Sequence, residues 1–518
     1  MYHLLDIDSE IPVLSDVREN GFKTTFTWTT KSNLWAKKTY TLVCDPLRFT
    51  YYVSVKGKGK VDSVNYFNGS AVDGAHPSYY EFQEGFNPCK PSDYKDDYYF
   101  KAGVGCKRIP TYMAPPMFCY SFRCEGLLRR LGIGLVAERG EHNFHAFDYN
   151  VGGGFWFTTF QHGHTNVDGE WCAPYIIGYS AENEFDTCKK YSEYYYTSGI
   201  AKARNPQIFP KFWYGPMACG WIEQFGRSDL GGGALDRSNE RLYREYLQKM
   251  NKAGLYPRCL IIDDKWQSQY ATDVADPAKW SDLRAFVDEQ HANGVHTMLW
   301  FKIFDPEGLT DGTVDTDDAL EEFDNQRRKI DPSHPEFLKV LDDALHRIIS
   351  SDEGCYDCDG IKIDYAFMNP AGRGFDTYSG KYGAELLYGY IEHIYNEVKK
   401  WKPDAIVNSS SCHPYFGHLV DQARLHDYDG RDRYCREDLA MRAKMFSIAV
   451  PGALIDTDNG GYTAHRDTVR CMTEQPETGI PDIYGVSPVF GFAFTDEDLA
   501  AISQVWREYT ERIDRMYE

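Results

Sequence analysis

Residues 359 to 365 read Asp359-Gly360-Ile361-Lys362-Ile363-Asp364-Tyr365. The apolar centre of this stretch and the long helical segments beside it predict a buried parallel strand. Lys362 and Asp364 are two positions apart, so their side chains share one face of the strand. Such groups are costly inside a plain core but tolerable at the mouth of a βα barrel. Two interpretations stay open: Asp364 is a catalytic nucleophile kept ionised by Lys362, or the two form a buried pair that supports the barrel.

The chain around this strand alternates between predicted strands and helices from about residue 210 onward. Strands are predicted at 212–221, 259–264, 295–301, 359–365, 405–409, 423–426, 453–455 and 484–489. Helices are predicted at 238–253, 282–293, 335–351, 383–401 and 495–513. Eight such units over about 300 residues indicate a (β/α)8 TIM-like barrel. A doubly wound sheet is the alternative, but no glycine-rich phosphate loop follows the first strand.

The first 205 residues have a different pattern. Short runs rich in β-branched and aromatic residues, such as Thr24-Thr25-Phe26-Thr27-Trp28, are separated by clusters of Gly, Asn and Asp. This pattern predicts an antiparallel β-sandwich, followed by one helix near 183–198. The predicted fold class is therefore multidomain, β plus α/β, with a β-sandwich domain at 1–205 and the catalytic barrel at 206–518.

The composition excludes several classes of function. A formal net charge of -21 over 518 residues opposes binding to nucleic acid and to anionic membranes. The N-terminus lacks the basic and apolar regions of a secretory signal, so we expect a cytoplasmic protein or a trimmed secreted one. Among the fourteen cysteines, Cys355 and Cys358 form a CxxC that no second pair completes into a zinc set. No metal or other cofactor is expected.

Carboxylates recur at the predicted C-terminal ends of the strands. They are Asp263, Asp264, Asp364, Asp427, Asp429, Asp456 and Asp458. A single Asp after a strand is usually a turn residue or a helix cap, but a ring of them on one rim is harder to dismiss. Paired carboxylates with nearby aromatic residues are what glycoside hydrolysis needs. A divalent metal site is the competing interpretation, and Lys362 within the cluster disfavours it.

Five motifs in order carry a resemblance to a known family. They are 216–221 (Pro-Met-Ala-Cys-Gly-Trp), 262–267 (Ile-Asp-Asp-Lys-Trp-Gln), 330–336 (Ile-Asp-Pro-Ser-His-Pro-Glu), 362–364 (Lys-Ile-Asp) and 451–458 (Pro-Gly-Ala-Leu-Ile-Asp-Thr-Asp). The C-terminal part of the chain resembles the retaining α-galactosidase clan, melibiase-like glycoside hydrolase families 36 and 27, with family 31 more distant. The third-strand motif departs from the family pattern, because four residues separate Trp300-Phe301 from Pro306-Glu307.

This resemblance implies a role for each matching residue. Asp364 would be the nucleophile and Asp427 the acid/base, with Asp429 as the alternative acid/base. Sugar contacts would come from Trp221, Asp263, Asp264, Trp266, Trp300, Lys362, Ser410, Cys412, Arg424, Asp456 and Asp458. The resemblance also implies an α-linked oligosaccharide or glycoside as substrate, and a possible homo-oligomer.

The function predicted first is a retaining exo-α-glycosidase, an α-galactosidase. Small serines in the strand-five loop 408–413 leave room for an N-acetyl group, so an α-N-acetylgalactosaminidase is an alternative, although the serines are equally typical of a turn. An α-glucosidase or transglycosylase of the same clan follows. A non-catalytic carbohydrate-binding protein on a decayed barrel and a metal-dependent hydrolase are alternatives of other classes.

Overall fold

The computed structural model describes residues 6–67, 82–86, 102–103, 114–124, 128–151, 155–204, 209–309, 315–317, 328–370, 372–373, 375–425, 435–458 and 467–518. The predicted acid/base candidates Asp427 and Asp429 lie outside these residues, as does the predicted domain boundary at 205–206. That boundary stays a prediction.

The N-terminal part is an antiparallel β domain, as predicted. Its strands within the described residues are β1 (Val13–Asn20), β2 (Lys23–Thr30), β3 (Lys37–Cys44), β4 (Arg48–Tyr66), β5 (Phe82–Phe86), β6 (Ala102–Gly103), β7 (Cys119–Cys124), β8 (Arg130–Val136), β9 (Ala146–Val151), β10 (Phe155–Cys172) and β11 (Tyr175–Ala181). They pair in the order β1-β2-β3-β4-β11-β8-β7-β5, and β10, β9 and β6 branch from β4.

The strand pairing of the β domain differs from that of the expected sandwich. Strand β4 is 19 residues long; its first part pairs with β3 and β11, and the remainder pairs with β10. The described strands therefore form one branched sheet rather than two separate sheets. The branches face each other through aromatic rings, with centroids 5.5 Å apart for Tyr120 and Phe147 and 5.8 Å apart for Phe122 and Phe157. Helix α1 (Glu184–Thr197) follows, and the Asn183 side chain caps its N-terminus.

The second part is a nearly closed parallel barrel. Its strands among the described residues are β12 (Met217–Cys219), β13 (Cys259–Ile262), β14 (His296–Lys302), β17 (Gly360–Asp364), β18 (Ile406–Ser409), β19 (Gln422–Arg424), β20 (Leu454–Asp456) and β21 (Asp482–Ile483). They pair in the order β20-β19-β18-β17-β14-β13-β12-β21. A parallel bridge between Asp456 and Ile480 brings the two edges together. A short hairpin, β15 (Asp315–Asp317) and β16 (Arg328–Ile330), lies between β14 and β17.

Helices surround the barrel close to where the sequence predicts them. They are α2 (Trp221–Gly226), α3 (Glu240–Lys252), α4 (Leu283–Ala292), α5 (Pro335–Ile349), α6 (Gly383–Trp401), α7 (Cys435–Ala449), α8 (Asp467–Glu474) and α9 (Asp496–Met516). Side-chain caps fix several starts, for example Asn239 on α3 and Thr495 in a capping box on α9. The eighth strand, predicted at 484–489, is in fact β21 at Asp482–Ile483. The first strand is shorter than predicted, because residues Lys211–Tyr214 form a 3-10 turn.

A continuous hydrophobic core runs through both parts of the molecule. Cys355 and Cys358 are buried free thiols, whereas Cys471 is disulfide-bonded. In the part of the chain that the structure describes, no helix is both long and apolar enough to cross a membrane.

Candidate active site

The carboxyl ends of the parallel strands bring the predicted site residues together. Strand pairing sets Trp300 beside Lys362, Lys362 beside Asn408, and Arg424 beside Asp456. Because all eight strands run in the same direction, the residues that follow them meet on one rim. Hydrogen bonds and ion pairs, including one from Asp264 N–H to Asp263 Oδ1 at 2.9 Å, join eight residues into one polar cluster: Asp263, Asp264, Trp300, Lys362, Asp364, Arg424, Asp456 and Asp458.

Asp364 is the last residue of β17 and accepts hydrogen bonds on both carboxylate oxygens. The Arg424 guanidinium donates to Oδ1 at 2.8 Å, the Trp300 indole Nε1 donates to Oδ2 at 3.0 Å, and the backbone N–H of Tyr365 donates to Oδ1 at 2.7 Å. Its side chain is 14% exposed. Donors of this kind favour the ionised carboxylate and fix its direction. The Asp364 carboxylate is therefore held in one orientation, and part of it stays accessible to solvent.

Lys362 does not pair with Asp364, contrary to the expectation from the sequence. Its Nζ donates to Asp263 Oδ2 at 3.0 Å and to the Tyr484 hydroxyl at 3.2 Å, and it lies 3.8 Å from Asp458 Oδ1. Burial lowers the pKa of Lys362, but the charges of Asp263 and its other neighbours raise it well above its usual value. A cation that does lie beside the Asp364 carboxylate is Arg424, on β19.

A second part of the cluster lies behind Arg424. The Arg424 Nε is 3.5 Å from Asp458 Oδ2, and the Tyr484 hydroxyl donates to Asp458 Oδ1. The Asp458 backbone N–H donates to Asp456 Oδ1 at 3.0 Å, and the Asn408 amide donates to Asp456 Oδ2 at 2.6 Å. Burial and the neighbouring Asp458 raise the pKa of Asp456 to about 6. These groups form a buried network that holds Arg424 in place.

Asp263 and Asp264 follow β13 and have different surroundings. Asp263 accepts from Lys362 and from the Cys219 thiol, whose Sγ is 3.0 Å away. Asp264 accepts from the Tyr270 hydroxyl at 2.9 Å. Burial, and then the charge of Asp263, raise the pKa of Asp264 to about 7. Near neutral pH, Asp264 can thus either donate or accept a hydrogen bond, which suits contact with a sugar hydroxyl.

The three predicted tryptophans occupy different positions. Trp300 is almost fully buried and reaches the site through its Nε1 contact with Asp364. Trp266 is fully buried and donates to the Trp300 backbone carbonyl at 2.8 Å, so it supports Trp300 from behind. Trp221 begins α2 and is half-buried, with its ring edge-on to Phe225 at 4.9 Å. Trp221 keeps the most accessible ring face of the three.

The strand-five loop contacts the β domain. The Ser410 backbone carbonyl accepts from Ala114 N–H at 3.0 Å, and Cys412 N–H donates to the Pro115 carbonyl at 2.9 Å. Cys412 is fully buried in the hydrophobic core. Asn408, at the start of this segment, joins the carboxylate cluster through its hydrogen bond to Asp456, and its sequence position had suggested no such role.

Sequence reasoning also missed Cys219, Tyr270 and Tyr484. Cys219 ends β12 and Tyr484 directly follows β21, so position at the end of a barrel strand was an available signal for both. Tyr270 lies in a loop after β13 and offers no such signal. The acid/base assignment to Asp427 or Asp429 stays a prediction.

Potential metal ligands among the described residues lie at the other end of the strands. His291, His296 and Asp359 are grouped there, with His291 Nε2 2.7 Å from Asp359 Oδ2. The His296 Nδ1 lies 3.3 Å from Asp359 Oδ1. The Lys402 ammonium is 3.4 Å from Asp359 Oδ1, so this carboxylate already has a cation beside it.

No protein-family model and no curated protein matches the sequence, whereas solved structures match the fold. The cycloalternan-forming enzyme from Listeria monocytogenes, in complex with a pentasaccharide substrate, has a TM-score of 0.59 at 11% identity over 98% of this chain and 54% of that one. This chain therefore spans about half the length of the Listeria enzyme.

Two GH31 family proteins give similar values. The sulfoquinovosidase from E. rectale has a TM-score of 0.56 at 12% identity over 96% of this chain and 74% of that one. The α-xylosidase from a soil metagenome, complexed with xylose, has a TM-score of 0.58 at 10% identity over 97% of this chain and 85% of that one. Families 36 and 27, which the motifs resemble, stay a prediction. The chain has the fold of the GH31 family glycosidases, an antiparallel β domain followed by a nearly closed parallel barrel.

Proposed function

We propose that this chain is a retaining α-glycosidase that acts through a covalent glycosyl-enzyme on Asp364. The observation that carries the proposal is the environment of this carboxylate. It ends a central barrel strand, keeps an accessible edge, and accepts from Arg424, Trp300 and the backbone N–H of Tyr365. A carboxylate in such a position is the nucleophile that a double-displacement glycosidase requires.

The proposed reaction uses two carboxyl groups, one ionised and one protonated. An Asp364 oxygen attacks the anomeric carbon and forms an ester bond, while the bond from that carbon to the leaving oxygen breaks. A protonated carboxyl, proposed as Asp427 with Asp429 as the alternative, donates its proton to the leaving oxygen. In the second step that group removes a proton from water, water attacks the anomeric carbon, and Asp364 is released with net retention.

The remaining polar groups suit recognition of one sugar ring. Asp264 offers carboxyl oxygens to hydroxyls and also a proton, because its pKa is about 7, whereas Asp263 and Asp456 are buried and already bound to Lys362 and Asn408. Trp221 offers the accessible ring face against which the apolar face of a sugar can stack. The Arg424 charge stays fixed because Asp458 and Asp364 hold it from two sides.

The sugar is proposed from the motifs as galactose in α linkage. The solved structures with this fold include a cycloalternan-forming enzyme, a sulfoquinovosidase and an α-xylosidase. α-Glucosides and α-xylosides therefore belong in the same test, together with α-N-acetylgalactosaminides and longer acceptors that would reveal transglycosylation.

The test is turnover of aryl glycosides by the wild type and by Asp364→Asn. The panel contains α- and β-linked galacto, gluco, xylo, sulfoquinovo and N-acetylgalactosamino compounds. We expect turnover of at least one α-glycoside and a loss of about 1,000-fold or more in Asp364→Asn, because the nucleophile has been removed. Asp352→Asn, at an exposed position in the loop that precedes β17, serves as the matched control and should keep full activity.

Stereochemistry and rescue complete the experiment. The first sugar released should be the α anomer by NMR. In Asp364→Gly, added azide should restore turnover and yield the β-glycosyl azide, because azide attacks from the face that Asp364 used. A wild-type rate that survives Asp364→Asn would remove the mechanism. If the wild type hydrolyses none of the glycosides but binds free sugars in calorimetry, the carbohydrate-binding alternative would be favoured.

A further inference from the structure

A cleft lies in the β domain, apart from the barrel site. Its volume is about 690 Å³, and its walls come from residues between 23 and 194, so no barrel residue lines it. This volume falls in the range of roughly 300–1,000 Å³ that is typical of small-molecule sites. Strands β2, β3, β4, β10 and β11, the segment after β8 and helix α1 all contribute to it.

Aromatic side chains line one part of the cleft. Tyr52, Trp171, Tyr175 and Tyr194 are all half-buried, so each keeps some accessible surface, although the Arg48 guanidinium lies over the Tyr194 ring at 4.6 Å from its centroid. The hydroxyls of Tyr175 and Tyr194 lie 3.2 Å apart. Fully buried tyrosines of the same domain, such as Tyr66, fill the core instead. Accessible rings of this kind can stack on the C–H faces of sugars.

Polar groups complete the lining, and three of them have a side-chain oxygen without a hydrogen-bond or ion-pair partner among the described residues. Gln161 is 1% exposed; its amide nitrogen donates to Thr159 Oγ1, but its carboxamide oxygen has no hydrogen-bond partner among the described residues. A buried amide oxygen without a donor is costly, unless something that enters the cleft supplies one. Glu138 and Glu141 line the cleft with exposed carboxylates, and the structure gives neither an ion pair within the described residues.

The backbone is shaped to bring Gln161 to this place. The pairing of β10 with β4 slips between Phe160 and Thr165, and His162 and Gly163 adopt positive φ angles of 47° and 82°. This bulge turns both Gln161 and Thr165 toward the cleft. On its other side, His164 stacks on Tyr382 at 4.1 Å and lies 2.6 Å from the Gly372 carbonyl. The bulge therefore ties the cleft to the barrel segment that follows the Asp364 strand.

We infer that this cleft is a second, non-catalytic binding site for a neutral oligosaccharide. Ring faces, an unsatisfied amide oxygen and free carboxylates match the C–H faces and hydroxyl groups of a sugar. The acidic lining, with Glu138, Glu141 and Glu170 against Lys23, disfavours phosphorylated or sulfated ligands. The inference rests on the proposed function for the choice of a sugar as ligand; the chemistry of the lining is independent of it. The site would hold part of a long substrate while the barrel acts on its end.

Mobility in native gels cast with a polysaccharide measures this binding. The gels contain dextran, soluble starch or galactomannan, and every variant carries Asp364→Asn so that the polymer stays intact. We expect at least one polymer to slow the protein. Tyr52→Ala and Gln161→Leu should raise the apparent Kd at least 10-fold, because they remove a stacking ring and the buried acceptor. Tyr256→Ala, an exposed tyrosine outside the cleft, should not change it.

Activity gives a second, independent result. In the otherwise wild-type protein, Tyr52→Ala should keep kcat/KM on a small aryl glycoside within 2-fold but lower it at least 5-fold on the retarding polymer. Retardation in 0.5 M NaCl should equal that in 0.1 M NaCl, whereas a cationic ligand would be screened. If no polymer slows the protein, or if Tyr52→Ala and Tyr256→Ala behave alike, the inference is overturned. If a polymer slows the protein through the cleft residues but the protein hydrolyses no aryl glycoside, the binding site in the cleft would be supported. Only the proposed function would then be refuted.

Discussion

Asp364 differs from the other carboxylates of the cluster in how much of it solvent can reach. Its side chain is 14% exposed, against 3% for Asp263 and 0% for Asp458. A nucleophile must touch substrate, whereas a carboxylate that only holds a cation need not. Exposure and hydrogen-bond donors together distinguish the proposed nucleophile from the carboxylates that hold Lys362 and Arg424 in place.

Arg424 is the residue on which the nucleophile's orientation depends most directly. Arg424→Met should lower kcat by about 100-fold or more, since a preorganised electrostatic contact is worth on the order of that factor. Arg424→Lys keeps the charge but not the fork geometry, so its loss should be smaller. Steady-state kinetics on the best aryl glycoside, with thermal unfolding to confirm folding, measures both. An Arg424→Met enzyme within 3-fold of wild-type kcat would contradict this role.

Asp264 should make stability fall as pH rises. Its pKa is 3.8 in an unfolded chain and about 7 in the folded protein. Between these values the unfolded state releases the proton while the folded state keeps it, so the folded state loses up to about 4 kcal/mol of relative stability on going from pH 4 to pH 7 and no more above that.

Asp264→Asn tests this pH dependence. The amide keeps an acceptor for Tyr270 but never ionises, so the variant should unfold at a higher Tm than the wild type at pH 8 and at an equal or lower Tm at pH 4.5. Differential scanning calorimetry at the two pH values gives the answer. Asp276→Asn, whose carboxylate caps a nearby turn, is the control and should show no such crossover.

At the scale of single elements, the strand ends share an unusual backbone feature. Lys265, Phe304, Tyr365 and Asp458 have positive φ angles of 68°, 67°, 64° and 44° and lie within a few residues of the ends of β13, β14, β17 and β20. Residues other than glycine adopt this left-handed region at a cost, and such residues cluster at functional sites. Here the sharp turn directs the chain away from the rim, so that the preceding side chains stay in the mouth of the barrel.

Strand β17 tolerates no side chain at its start. A Cβ on Gly360 would lie 2.5 Å from the Ile406 carbonyl oxygen and 2.9 Å from its nitrogen on β18. Gly360→Ala should therefore push the two strands apart and destabilise the protein by about 2–4 kcal/mol. Gly389→Ala, on the exposed face of α6 with open space around it, should be neutral or stabilising by up to about 1 kcal/mol.

Urea unfolding followed by circular dichroism compares these two glycine variants. The result should also appear in activity, because β17 carries Asp364: Gly360→Ala should lower kcat, while Gly389→Ala should leave it unchanged. Equal unfolding midpoints for the two variants would show that the β17–β18 contact is more adaptable than its geometry indicates.

At the scale of the whole molecule, the β domain and the barrel are joined by a polar contact at the start of α6. Ala384 N–H donates to the Phe144 carbonyl at 2.9 Å, and His142 N–H donates to Glu385 Oε2 at 3.0 Å. The Tyr415 hydroxyl donates to the same carboxylate at 3.3 Å, and its ring stacks on His142 at 4.0 Å. Buried polar contacts of this kind fix one relative arrangement of the two parts.

Glu385→Ala should loosen this junction. The variant leaves the His142 N–H and the Tyr415 hydroxyl without their acceptor, so we expect a loss of about 2–3 kcal/mol and a broader or divided calorimetric transition. Asp62→Asn breaks the half-exposed Asp62–Arg373 pair between the same two parts and should cost less than about 1 kcal/mol. A Glu385→Ala protein with an unchanged single transition would indicate that the core alone couples the two parts.

The sequence predicted most of the elements correctly because their signals are local. The helix predicted at 383–401 is α6 at Gly383–Trp401, and the helix predicted at 495–513 is α9 at Asp496–Met516. The short barrel strands were less certain, since two or three residues such as Asp482–Ile483 carry little pattern of their own. Their existence depends on neighbouring strands that supply hydrogen-bond partners.

By itself, the sequence determined that a barrel follows a β domain and that Asp364 ends a central strand, because alternation, apolar runs and ordered motifs are properties of the chain alone. The tertiary structure decided the partners: Arg424 beside Asp364, Lys362 with Asp263, Asn408 on Asp456, and the cleft around Gln161. Charges two positions apart on a strand share a face, but which neighbour each one reaches depends on strand order and stagger. These are set only when distant segments close into one barrel.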